Sequence, residues 1–63
     1  MFNQYPDVLT VQQVAEALRI GRGAAYKLVN ERTIGSVRIG NKIRVPKQCL
    51  IEYMQSARYN ISL

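Results

Sequence analysis

The chain has 63 residues, nine Lys or Arg against four Asp or Glu, and no His, for a formal net charge of +5. Its one cysteine, Cys49, excludes an internal disulfide and, with no histidine to assist, a cysteine-based zinc site. Scattered acids, no glycine-rich phosphate loop and no nucleophile beside a histidine base argue against an enzyme, and no cofactor is expected.

A chain of this length makes one domain with a thin core, because it buries only about 60% of its unfolded surface. The apolar share of 48% is enough for a small globule. No apolar run approaches about 18 residues and the start lacks the features of a secretion signal, so the expected setting is the cytoplasm, with no membrane partner.

The charge is concentrated. Residues 19–48 hold eight of the nine basic side chains (Arg19, Arg22, Lys27, Arg32, Arg38, Lys42, Arg44, Lys47) and one acid, Glu31, for a net +7. The segment covers folded elements rather than a loose tail, and such a face suits a polyanion, duplex DNA first.

Residues 1–8 read as a lead-in in which Pro6 discourages helix. A folded unit is expected over 9–57. Thr10 followed three residues later by Gln13 forms a capping box, and Leu9 with Val14 fits a hydrophobic staple. Val11, Val14, Ala15 and Leu18 carry helical spacing, which predicts a first helix over about Val11–Arg19. Ile20 and Gly21 break the pattern. A second helix is predicted over about Arg22–Glu31, with Ala25, Leu28 and Val29 inward and Arg22, Gly23, Tyr26, Lys27 and Asn30 outward. Two short helices joined by such a turn make a helix-turn-helix.

Two strands follow, about Ser36–Ile39 and Ile43–Val45. If Val37, Ile39, Ile43 and Val45 all share one buried face, Ile39 lies opposite Ile43 and Val37 opposite Val45, across a three-residue loop Gly40-Asn41-Lys42. Arg38 and Arg44 then face each other on the outside with Lys42 at the tip, a like-charge arrangement that phosphates would relieve. Pro46 suits the entry to a third helix, about Lys47–Ala57, with a core stripe of Cys49, Leu50, Tyr53, Met54 and Ala57. Ile51 falls off that stripe, and residues 58–63 read as a tail. The expected fold is small α+β: a winged helix-turn-helix, two helices followed by a two-stranded hairpin wing and a C-terminal helix.

Several outward residues of the basic block suit DNA contact. Arg22 and Lys27 sit where a recognition helix meets base edges or flanking phosphates, Arg22 can read guanine through its fork, and Asn30 can read adenine or simply end the helix. Gly23 costs about 1 kcal/mol against alanine inside a helix, so it occupies a forgiving first turn or permits close approach to the duplex. Tyr26 is read as half core, half phosphate contact. Arg38, Lys42 and Arg44 form a face without acids, suited to backbone or a minor groove.

The stretch LTVQQVAEALRIGRGAAYKLVNERTIGSVRIGNKIRVPKQCLIEYM, together with Val8, resembles the excisionase-type DNA-binding domain, which is similar to the winged helix-turn-helix of mercury-resistance-type regulators. The resemblance rests on Leu9-Thr10-Val11 with Val14-Ala15, Ala25-Tyr26-Lys27-Leu28, Val37-Arg38-Ile39-Gly40, Ile43-Arg44-Val45-Pro46 and the Leu50 to Tyr53 helix. The chain departs from the family pattern at Gly21-Arg22-Gly23, where a serine-containing start is more common.

The resemblance implies that the second helix, around Arg22, Gly23, Tyr26 and Lys27, enters the major groove. Arg38, Lys42 and Arg44 would then meet an adjacent minor groove or its phosphates. It further implies a non-catalytic bacterial factor, nucleoid-associated when bound. Such a factor binds repeated attachment-site DNA, with cooperative self-contacts, bends it and helps a tyrosine recombinase excise a mobile element. Two other readings fit the same surface: a small transcriptional regulator of a mobile element, and an interaction module holding a recombinase or replication protein through Ile51 and the tail.

Overall fold

Thr10 opens the first helix with both hydrogen bonds of a capping box: its Oγ1 accepts from the Gln13 amide at 3.0 Å, and its own amide donates to Gln13 Oε1 at 2.9 Å. In the computed structural model, which describes residues 2–61 and the side chains of 2–56, the order of elements is β1 (Val8–Leu9), α1 (Val11–Leu18), α2 (Arg22–Asn30), β2 (Val37–Ile39), β3 (Lys42–Pro46) and α3 (Lys47–Ile61). The helix pair, hairpin wing and closing helix expected from the sequence are all present.

The two helices of the helix-turn-helix end alike. Arg19 takes left-handed φ 57°, its amide donates to Glu16 O at 3.2 Å, and the Ile20 amide reaches back to Ala15 O at 3.0 Å. At the end of α2, Arg32 takes φ 62°, its amide donates to Val29 O at 3.1 Å, and the Thr33 amide reaches Leu28 O at 3.0 Å. Both are Schellman closures, in which glycine usually takes the left-handed position because it has no Cβ to clash. Here arginine takes it twice. Gly21 instead caps α2 in an extended conformation (φ −68°, ψ 157°), with no side chain to bond the first amides.

Leu9, Val14, Ala25, Val45 and Leu50 are fully buried, and Val11, Ala15, Val29 and Ile34 nearly so. This cluster joins α1 and α2 to the sheet and to α3, and Leu18, Leu28, Ile43, Cys49 and Tyr53 pack on its edge. Burying a residue of Val or Leu size stabilises by roughly 1.5–3 kcal/mol, so each of these few residues matters in so small a fold.

Three sequence expectations about the sheet are corrected. First, the chain does not wait until Leu9 to join the fold. Val8–Leu9 forms a third strand, antiparallel to β3 with Val8 opposite Pro46 and Leu9 opposite Val45, giving the order β1-β3-β2. Phe2 and Tyr5 also pack on the core. The Lys47 amide donates to Asp7 O at 2.7 Å and Lys47 Nζ to Tyr5 O at 3.2 Å.

Second, the hairpin register differs. Ile39 lies opposite Lys42, Arg38 opposite Ile43 and Val37 opposite Arg44, around a two-residue Gly40-Asn41 turn with Gly40 at φ 61°. Positive φ at the first central residue alone is the pattern of a II′ turn, whose twist matches that of paired strands. Arg38 and Arg44 therefore point from opposite faces of the wing.

Third, the premise behind the expected register fails: Val37 is 49% and Ile39 63% exposed. The core takes Ile34 from the loop instead, so β2 has no apolar face to bury. At the C-terminus α3 runs to Ile61, through residues expected in a tail. The Ala57 side chain, expected in the core, lies outside the described side chains, and Ser62 and Leu63 at the end of that tail lie outside the described residues. Ile51 is half-buried and is not among the side chains packed on the core, as its place off the stripe implies.

Candidate nucleic-acid interface

Helix α2 turns Ala25 and Val29 into the core and leaves Arg22, Gly23, Tyr26, Lys27 and Asn30 exposed. The helical period places these five on one outward arc, as the sequence predicts. A Cβ built on Gly23 would meet nothing within 4 Å, so the fold itself does not require glycine there.

The wing meets this helix along one cleft. Strand β1 pairs only with Val45 and Pro46 of β3, which leaves Lys42, Ile43 and Arg44 without a strand neighbour on that edge. Facing this edge are Thr10, Val11 and Gln12 at the start of α1, and Arg22 and Tyr26 of α2. Asn41 closes the tip. Three cations, Arg22, Lys42 and Arg44, therefore line a single cleft that contains no acid. Arg44 is half-buried and its Nη1 donates to the Ile43 carbonyl at 3.0 Å, which fixes the guanidinium against its own strand.

A second cleft lies past the other end of α2. Val29, Asn30, Arg32, Ile34, Gly35, Ser36, Arg38 and Ile43 border it, again without an acid. Arg38 belongs here, not with Lys42 and Arg44, because it shares the face of Ile43. The basic surface is thus two acid-free hollows on either side of the wing stem, with Ile43 bordering both.

Of the expected site residues, Arg22, Tyr26, Lys42 and Arg44 come together in the first cleft, and Asn30 and Arg38 in the second. Gly23 and Lys27 border neither and lie on the exposed arc between them. Sequence reasoning misses Arg32 as a site residue and counts it only toward the net charge. Its position in a loop past the helix end hides the fact that it borders the same cleft as Arg38. Lys47, by contrast, is committed to the fold: its Nζ lies 3.7 Å from Asp7 Oδ1.

Helix pair, hairpin wing and clustered cations define a winged helix-turn-helix DNA-binding domain. Residues 8–58 match the family described as helix-turn-helix domain. An excisionase of Streptomyces ambofaciens is 34% identical over 50 residues, 79% of this chain and 81% of that protein. A probable excisionase of Saccharopolyspora erythraea is 41% identical over 46 residues, 73% of this chain and 47% of that protein, so the chain spans about half the length of this second relative. No solved structure matches the chain. The chain belongs to the helix-turn-helix family, as an excisionase-type small DNA-binding protein of a non-enzymatic group.

Proposed function

We propose that the protein is an excisionase that binds and bends attachment-site DNA and so directs a tyrosine recombinase toward excision of a mobile element. The observation that carries this reading is the first cleft. There the starts of α1 and α2 and the free edge of the wing converge on Arg22, Lys42 and Arg44 with no acid between them. Helix starts carry free amides and a partial positive charge, so they add to the field that three cations make for a phosphate.

In this reading α2 enters the major groove with Gly23 and Lys27 leading, and the empty space above Gly23 lets the helix backbone come close to base edges. Arg22 serves base readout, Tyr26 donates its hydroxyl to a phosphate, and Lys42 and Arg44 hold the backbone beside the groove. Gly23, Ala24 and Ala25 offer few base-reading groups, so shape and deformability of the DNA supply much of the selectivity. Bending a short duplex costs roughly 1–6 kcal/mol, which several copies bound side by side would offset.

Two measurements test the reading. Arg22→Ala should reduce discrimination between cognate and random duplex by about 1–3 kcal/mol, whereas Lys42→Ala should weaken both alike. Adding the protein to its recombinase should raise excision of a joined element and slow the mobility of bent DNA. Unchanged excision together with repression of a neighbouring promoter would make it a regulator instead.

A further inference from the structure

We propose that the second cleft, at the C-terminal end of α2, is a separate anion site in which Arg32 and Arg38 hold a DNA backbone phosphate. This rests on the reading of the protein as a duplex-binding factor and adds a second anchoring point, on the far side of the wing stem from the first cleft.

The hairpin register is the first support. With Arg38 opposite Ile43, its side chain leaves the wing on the face that Ile43 presents to the core, away from Lys42 and Arg44. It stays exposed there, beside the loop that carries Arg32. The lining is the second support. Val29, Ile34 and Ile43 form apolar walls, and the polar side chains are two guanidinium groups, the Asn30 amide and the Ser36 hydroxyl, every one of them able to donate a hydrogen bond and together set against the partial negative charge of the helix end. Among the described residues neither arginine has an ion-pair or side-chain hydrogen-bond partner. Glu31, the nearest acid in sequence, does not border the cleft.

The backbone at Arg32 makes a clean variant available. Its φ of 62° lies in the left-handed region, and the Schellman bonds around it fix that conformation. A residue with a Cβ is disfavoured at such a position and glycine is not, so the fold alone would be served better by glycine. Arg19 keeps the same conformation without bordering either cleft, so the value of this backbone is that Arg32→Gly removes the charge while keeping the fit. Two guanidinium forks and two neutral donors match the oxygens of a phosphodiester.

The test compares duplex affinity across salt concentrations for the full chain and for Arg32→Gly, Arg38→Gln and the double variant, each with its thermal midpoint. Arg32→Gly should melt at or above the parent temperature yet bind duplex more weakly, which separates ligand binding from folding. The double variant should lower the magnitude of the slope of log affinity against log salt by roughly 0.9, as expected when one phosphate is no longer neutralised. An unchanged slope in a folded double variant, while Lys42→Gln with Arg44→Gln still flattens it, overturns the second site and leaves the DNA reading standing. No duplex binding by the parent at low salt overturns that reading, and this proposal with it. A parallel titration with inorganic phosphate distinguishes the source. Saturation of the cleft by free phosphate at submillimolar concentration, with no change in the DNA slope, would make it a small-anion site and also overturn the proposal.

Discussion

Arg38 stands directly across the hairpin from Ile43, and Arg44 from Val37, so the two arginines of the wing point from opposite faces. This sets an energetic expectation. Like charges directly opposite on one face are destabilising by some tenths of a kcal/mol up to about one, whereas side chains without shared partners act additively to within about 0.5 kcal/mol. A double-mutant cycle of Arg38→Ala and Arg44→Ala, followed by urea unfolding, should therefore show stabilities that add. A coupling near 1 kcal/mol, relieved by either single change, would mean that the arginines face each other.

The left-handed arginine at the end of α1 makes a second prediction. Arg19 holds φ 57° within a Schellman closure, and its side chain is exposed. Arg19→Gly should raise stability by about 1 kcal/mol, because the Cβ clash disappears while both closing bonds remain. Arg19→Ala keeps the Cβ and should gain little. Equal effects of the two substitutions in thermal unfolding would contradict the conformation.

Gly35 and Cys49 define a third. A Cβ at Gly35 would lie 2.9 Å from Cys49 Sγ and 3.5 Å from Cys49 Cβ. Gly35→Ala should cost about 1–3 kcal/mol through overpacking, since the half-buried thiol must move. Combining it with Cys49→Ala removes the sulfur and leaves only the ordinary 3.5 Å approach, so the double variant should recover part of the stability. A double variant as unstable as the sum of its parts would argue against this packing.

Gly23 separates fold from function. Nothing within 4 Å opposes a Cβ there. Gly23→Ala should stabilise α2 by up to about 1 kcal/mol, and weaken duplex binding if the helix backbone approaches the groove. Chemical denaturation and a binding titration on the same variant check both halves. A variant both less stable and unaltered in binding would contradict each.

Much of this fold is legible in the chain, because the helical signals are local. Thr10 and Gln13 announce the capping box, Val11, Val14 and Ala15 carry the spacing that buries them, and Ala25 and Val29 do the same for α2. The hairpin register is not legible. Requiring Val37 and Ile39 to be buried gives the wrong pairing, and the two-residue turn at Gly40-Asn41 with Ile34 in the core removes that requirement. Ile34 lies between elements, where no period marks it. Val8 gives no strand signal, because a two-residue strand has no alternation of its own and is created by its pairing with Pro46. The first cleft can be anticipated as a cluster of charge. Its division from the second depends on which face Arg38 takes, and a one-residue change of register reverses that face.

Whether this surface holds duplex DNA through phosphates is decided by the salt dependence of duplex affinity. The parent should show a steep linear fall of log affinity with log salt. Lys42→Gln combined with Arg44→Gln should flatten it by roughly 0.9 for each phosphate left without its cation. Lys47→Gln, whose side chain is engaged with Asp7 and Tyr5, should leave the slope as it is. An affinity independent of salt, or a slope that responds to Lys47 as strongly as to the cleft residues, would refute phosphate binding by this surface.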